Sequence, residues 1–129
     1  MPENFVISIV DDDSSVRQAT MGFIRAIGFA SEAFQSAEEF LGSGAFLRTC
    51  CLIADMRMSG MSGLELQNHL VAAGTPVPTI LITAFPDDRD RARAKEAGVV
   101  CYLAKPFNET ELLACIGSIL RTQRIDGRE

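Results

Sequence analysis

Cys50-Cys51-Leu52-Ile53-Ala54-Asp55-Met56-Arg57-Met58-Ser59-Gly60 decides the reading of this chain. An apolar run stops at one carboxylate, and a Met/Ser/Gly segment follows. A buried strand reads this way when it delivers a single acid to the edge of a sheet. Two other apolar runs end alike. Phe5 to Val10 stops at Asp11-Asp12-Asp13, and Thr79 to Ile82 stops at Thr83. In a parallel sheet these ends share one rim, where open α/β folds place their ligand crevice.

Strand-like and helix-like patterns alternate five times along the chain. The expected strands are Phe5 to Val10, Phe29 to Phe34 (short and weak), Cys51 to Ala54, Thr79 to Ile82 and Val99 to Leu103. Helix one spans about Ser14 to Ile27, with Val16, Met21, Phe23, Ile24 and Ile27 apolar and a stop at Gly28. Ser36 with Glu39, and Ser62 with Glu65, have capping-box spacing and open helices two and three. Helix four starts near Asp87. Asn108 with Glu111 opens helix five, whose Leu112, Ile116 and Ile119 or Leu120 face inward. Continuous apolar strands with a helix between each pair imply a parallel sheet covered on both faces. Right-handed crossovers narrow this to a doubly wound sandwich. The expected fold class is therefore α/β, a doubly wound five-stranded parallel sheet with five helices.

The 129 residues suffice for one domain with a real core, and 47% are hydrophobic. No apolar run approaches the roughly 20 residues of a membrane helix. The start, Met1-Pro2-Glu3-Asn4, lacks the features of a signal peptide. A cytoplasmic location is the expectation. A net charge of -5 with no basic run argues against direct DNA binding. Cys50, Cys51, Cys101 and Cys115 form no CxxC pair and read as reduced core residues. His69, between polar neighbours on helix three, reads as a surface residue.

Asp11, Asp12 and Asp55 converge if the sheet is right. Two like charges about 4 Å apart repel by roughly 4 kcal/mol at an effective dielectric near 20. Three carboxylates need raised pKa values or a divalent cation, and all-oxygen ligands favour Mg²⁺. Such an ion offsets charge in phosphoryl transfer, and a carboxylate can itself become an aspartyl-phosphate. Taken alone, Asp11-Asp12-Asp13 also reads as a helix cap with dipole-favoured acids. Lys105, before Pro106, suits a phosphate or carboxylate partner, or plain solvent. Thr83 offers a hydroxyl at a strand end, or a simple cap.

In order along the chain stand Asp11-Asp12, then Asp55-Met56-Arg57-Met58-Ser59-Gly60-Met61-Ser62-Gly63, then Thr83-Ala84, then Tyr102-Leu103-Ala104-Lys105-Pro106-Phe107. This series resembles the receiver domain of two-component response regulators over nearly the whole chain. The resemblance implies a flavodoxin-like sheet of order 2-1-3-4-5. It implies Asp55 as phospho-acceptor and Mg²⁺ among Asp11, Asp12, Asp55 and the Arg57 backbone carbonyl. Lys105 and Thr83 would contact the phosphoryl group. Thr83 and Tyr102 would form the switch, with Tyr102 turning from exposed to buried and the Lys105–Pro106 bond cis. The implied partners are a sensor histidine kinase and a second copy in a phosphorylation-dependent homodimer, with no membrane contact.

Ser59 stands where the family usually has proline, so the turn carrying the Arg57 carbonyl is expected to be looser. Gln35 to Leu41 and Met61 to Leu66 look most like receivers preceding LuxR-type helix-turn-helix domains. DNA would be reached only through such an output domain, which these residues do not contain. The expected division is a receiver over residues 1–120 and a polar tail or linker start over 121–129. Both an excised receiver and a single-domain regulator fit. The rival functions are a phosphate-independent interaction module of the same fold, an aspartate-based phosphatase matching Asp11-x-Asp13, and a flavin protein of similar layering.

Overall fold

The computed structural model describes residues 5–126. Five strands, β1 (Val6–Val10), β2 (Ala30–Phe34), β3 (Thr49–Asp55), β4 (Thr79–Thr83) and β5 (Cys101–Ala104), form one sheet in the order β2-β1-β3-β4-β5. Every pairing is parallel, as runs apolar on both faces require. Between and after them lie α1 (Ser14–Ala26), α2 (Ala37–Ser43), α3 (Gly63–Ala72), α4 (Asp88–Glu96) and α5 (Glu109–Asp126).

The period of two along β3 separates two cores. Cys51 and Ile53 join Ile7, Ile9, Ile80 and Ile82 beneath Ile24 of α1 and Leu112, Ile116 and Ile119 of α5. Leu52 and Ala54 join Val10, Leu81 and Tyr102 beneath Phe40 of α2, Leu66 and Leu70 of α3, and Ala94 of α4. Truncating one of these fully buried side chains to alanine costs about 2–5 kcal/mol. Burial on both faces fixes the strand ends, and so fixes where the acids emerge.

Four local details differ from the sequence expectations. β3 begins at Thr49, because Thr49 pairs with Val6 across a register irregularity and its hydroxyl lies 2.7 Å from that of Ser8. The Ser62–Glu65 capping box is complete. At α2, however, the Glu39 carboxylate reaches the N–H of Gln35 at 2.8 Å, and only the Ser36 half of the box forms. α5 continues to Asp126, so part of the stretch read as a polar tail is helix. Cys101 and Cys115, expected as free thiols, are joined in a disulfide. β5 and α5 pack in one core and bring their Cα atoms to 6.4 Å, within disulfide reach. A separation of 14 residues gave no sequence signal of that pairing. Cys50 and Cys51 remain as thiols, with burial pushing Cys51 up to about 12. His69 is exposed, as expected.

Candidate functional site

The rim holds the expected residues together. Asp11 follows β1, Asp55 ends β3, Thr83 ends β4, and Lys105 follows β5. Asp11, Asp55 and Thr83 are buried, whereas Asp12 is exposed. Oxygens of Asp11, Asp12 and Asp55 lie within 4.8 Å of one another. The Lys105 ammonium bridges two of these acids, at 2.8 Å from Asp55 Oδ2 and 3.1 Å from Asp11 Oδ2. Its peptide bond to Pro106 is cis, as expected.

The backbone supplies the remaining donors. Asp11 Oδ1 accepts the Asp13 N–H at 2.9 Å, and Asp55 Oδ1 accepts the Arg57 N–H at 3.1 Å. Asp12 Oδ2 accepts the Ser59 N–H at 3.1 Å. Among the described residues, no donor meets Asp12 Oδ1 or the Arg57 carbonyl oxygen. Two hard oxygens are therefore open beside a carboxylate cluster, which is the donor chemistry that suits Mg²⁺. Asp13, the third acid of the run, is the N-cap of α1 and accepts from the N–H groups of Ser15 and Val16. It is used in capping, as the Asp11-Asp12 choice anticipates.

Burial raises the pKa of Asp11, and Asp55 adds to the rise, while the Asp13 N–H and Lys105 oppose it. For Lys105, burial acts to lower the pKa, but the bonds to Asp55 and Asp11 outweigh it and the net direction is up. The lysine thus stays charged, and one positive charge faces several negative ones.

Gly63 explains the spacing of the Asp55-to-Gly63 motif. A Cβ there would sit 2.4 Å from the Asp55 backbone oxygen and 2.9 Å from Leu81. Only glycine lets α3 start directly against the end of β3.

Tyr102 takes the buried position of the two that the resemblance implies. The Asp87 N–H donates to its hydroxyl at 3.3 Å, and the Arg91 guanidinium lies 4.8 Å from the ring centroid. Those two contacts hold the inward position. Thr83 Oγ1 accepts the Phe85 N–H at 3.1 Å.

Sequence reasoning missed two partners. Asp90, one of the mixed charges of α4, is buried and pairs with Arg57 at 2.6 Å. The signal was its spacing of four from Ala94, which places both on the inward stripe. Glu38 of α2 accepts the Met61 N–H at 2.9 Å in the turn after Asp55.

Comparisons agree with this geometry. A transcriptional regulatory protein FixJ of Azorhizobium caulinodans is 33% identical over 129 residues, covering all of this chain and 61% of the relative. The response regulator protein TmoT of Ectopseudomonas mendocina is 40% identical over 116 residues, covering 90% of this chain and 53% of its own. The chain thus spans about half the length of such relatives. Among solved structures, the response regulator StyR superposes with a TM-score of 0.85 at 40% identity, covering 95% of this chain and 63% of that one. FixJ-N superposes with a TM-score of 0.83 at 34% identity, covering 92% of this chain and 94% of that one. Receiver domains bind Mg²⁺ at the acidic pocket, and the Asp11, Asp12 and Asp55 cluster fits that ion. Matched over residues 7–117 by the response regulator receiver domain model, with the acids, hydroxyl and lysine converging on one rim, the chain belongs to the receiver domain family of two-component response regulators.

Proposed function

We propose that this domain is a phosphorylation-controlled switch in which Asp55 accepts a phosphoryl group from a sensor histidine kinase, with Mg²⁺ held by Asp11, Asp12, Asp55 and the Arg57 carbonyl. The observation that carries the reading is the seat of Asp55: a carboxylate at a strand end, 2.8 Å from the ammonium of Lys105. An Asp55 oxygen attacks phosphorus and an O–P bond forms. The P–N bond to the donor imidazole breaks, the electron pair leaves with nitrogen, and nitrogen takes a proton from solvent. Magnesium, when bound, supplies positive charge against the phosphoryl oxygens as their charge develops. Lys105 follows the negative charge from the carboxylate to a phosphoryl oxygen. Thr83 turns its hydroxyl hydrogen toward the same group.

The inward rotamer of Tyr102, held by the Asp87 N–H, is the one phosphorylation favours. A modification that favours one of two states shifts the population by no more than its differential affinity. The surface so stabilised is made by α4, β5 and α5. We assign to it a phosphorylation-promoted homodimer, read by light scattering with and without beryllofluoride. The relatives' transcriptional roles suggest a transcriptional output carried by a separate output domain, and a cytoplasmic setting. Among the described residues no helix is long and apolar enough to cross a membrane. Asp13, the second acid that the phosphatase alternative needs, caps α1, which supports the switch reading over it.

Acetyl phosphate with Mg²⁺ is expected to add one phosphoryl mass to the protein and none to Asp55→Asn. Absence of the adduct, or peptide mapping of the phosphate to Asp11 or Asp12, overturns the assignment.

A further inference from the structure

The turn after Asp55 is held by a device the sequence did not suggest. Ser59 replaces the family's proline and so keeps an N–H. That N–H donates to Asp12 Oδ2 at 3.1 Å. Two residues on, the Met61 N–H donates to Glu38 Oε2 at 2.9 Å. Between them Gly60 adopts φ +80°, and a Cβ there would lie 2.8 Å from the same Glu38 oxygen. The glycine is what lets the carboxylate close over the turn. Glu38 stands on a firm base. Ser36 caps α2, and Ala37 and Phe40 on either side of Glu38 are fully buried. The Met61 N–H also depresses the pKa of Glu38, so its carboxylate is ionised at neutral pH.

We infer that Glu38, outside the acidic pocket, is a positioning residue for the cation: with Asp12 it clamps residues 59–61 and replaces the restraint of the missing proline. The clamped turn continues directly from Arg57, whose carbonyl is an expected metal ligand. The Ser59 N–H holds one Asp12 oxygen and leaves Oδ1 open. Donors bound to the far oxygen of a liganding carboxylate fix its orientation, and their loss weakens metal binding. Glu38 makes no contact with the acids themselves, so it acts only through the turn. The inference rests on the proposal that this pocket takes Mg²⁺.

Two readouts separate the clamp from the metal. Magnesium affinity is measured by titration calorimetry on the whole 129-residue chain. Amide exchange at Met61 is measured by NMR in EDTA. Glu38→Ala is expected to weaken Mg²⁺ by about three- to tenfold, less than the roughly 10–100-fold lost with a partner bonded directly to a ligand, because Glu38 acts through the turn. It is also expected to speed Met61 exchange by about tenfold or more. Glu38→Gln keeps an acceptor and recovers most of both. Parent-like Mg²⁺ affinity in Glu38→Ala overturns the positioning role, and unchanged Met61 exchange overturns the clamp. A parent that takes up no Mg²⁺ overturns the metal reading and the positioning role together, whereas a parent that binds Mg²⁺ as tightly as its Glu38→Ala variant overturns the role of Glu38 alone.

Discussion

Lys105→Met removes a cation that touches both buried acids of the pocket. The ammonium lies 2.8 Å from Asp55 and 3.1 Å from Asp11. At an effective dielectric near 20, each contact is worth about 5–6 kcal/mol of gross attraction. Desolvation of three charged groups offsets much of that. Removing one partner of a buried pair costs about 3–5 kcal/mol, because the other charge is left uncompensated. A ceiling comes from titration. Protonating one carboxylate with an ordinary pKa of 3.8 at about pH 7.5 costs about 5 kcal/mol, and beyond that cost Asp11 would simply take up a proton. The pocket lies at the rim of the sheet, and Lys105 keeps 14% side-chain exposure. We therefore expect a loss of about 2–4 kcal/mol in EDTA.

The assay is urea unfolding followed by far-ultraviolet circular dichroism, with EDTA and with saturating Mg²⁺. The divalent ion replaces the missing positive charge, so the loss should shrink to about 1 kcal/mol or less with Mg²⁺. A second copy of the measurement in the Asp55→Asn background should show a smaller penalty for Lys105→Met, because one of its two partners is then neutral. A loss under about 1 kcal/mol in EDTA, or a loss untouched by Mg²⁺, refutes the view that Lys105 holds the empty pocket together.

Asp12→Asn is expected to weaken Mg²⁺ at least tenfold in calorimetry, yet to change metal-free stability by only about 0.5 kcal/mol, since Asp12 is exposed. Lys105 has a pKa raised above 10.5, so its stabilisation is complete below that value and disappears as pH rises through the folded-state value; alkaline unfolding should start earlier in the parent than in Lys105→Met relative to each protein's neutral stability. Gly63→Ala forces a methyl within 2.4 Å of the Asp55 backbone oxygen and should cost about 2–4 kcal/mol in urea melts.

The strand ends were legible because a parallel sheet buried on both faces leaves its sequence little freedom. An apolar run such as Leu52-Ile53-Ala54 must stop where solvent begins, and Asp55 marks that stop. The same logic placed Asp11, Thr83 and Lys105 on one rim. It also led to an overestimate: all three acids were taken to store repulsion alike. The structure sets Asp12 at the surface with its own N–H donor, and concentrates burial on Asp11 and Asp55. Depth below the rim depends on how far each loop continues past its strand, and alternation of residue types carries no record of that.

What stayed hidden was mostly bonding between segments far apart in the chain. Asp90 looked like one more charge on α4 until α4 was placed against Arg57, 33 residues away. Cys101 and Cys115 became partners only when α5 lay across β5. Tyr102 was singled out from the sequence, but its inward rotamer depends on the Asp87 N–H and the Arg91 guanidinium. Ser59 is the sharpest case. Judged by residue type, replacing proline removes a restraint on φ and loosens the turn. Judged by atoms, the same change adds an N–H, and that N–H reaches Asp12. A substitution away from a family pattern therefore has to be scored for the donor it restores as well as the rigidity it removes. At this turn the restored donor points at a metal-pocket acid, and Glu38 holds the next amide but one.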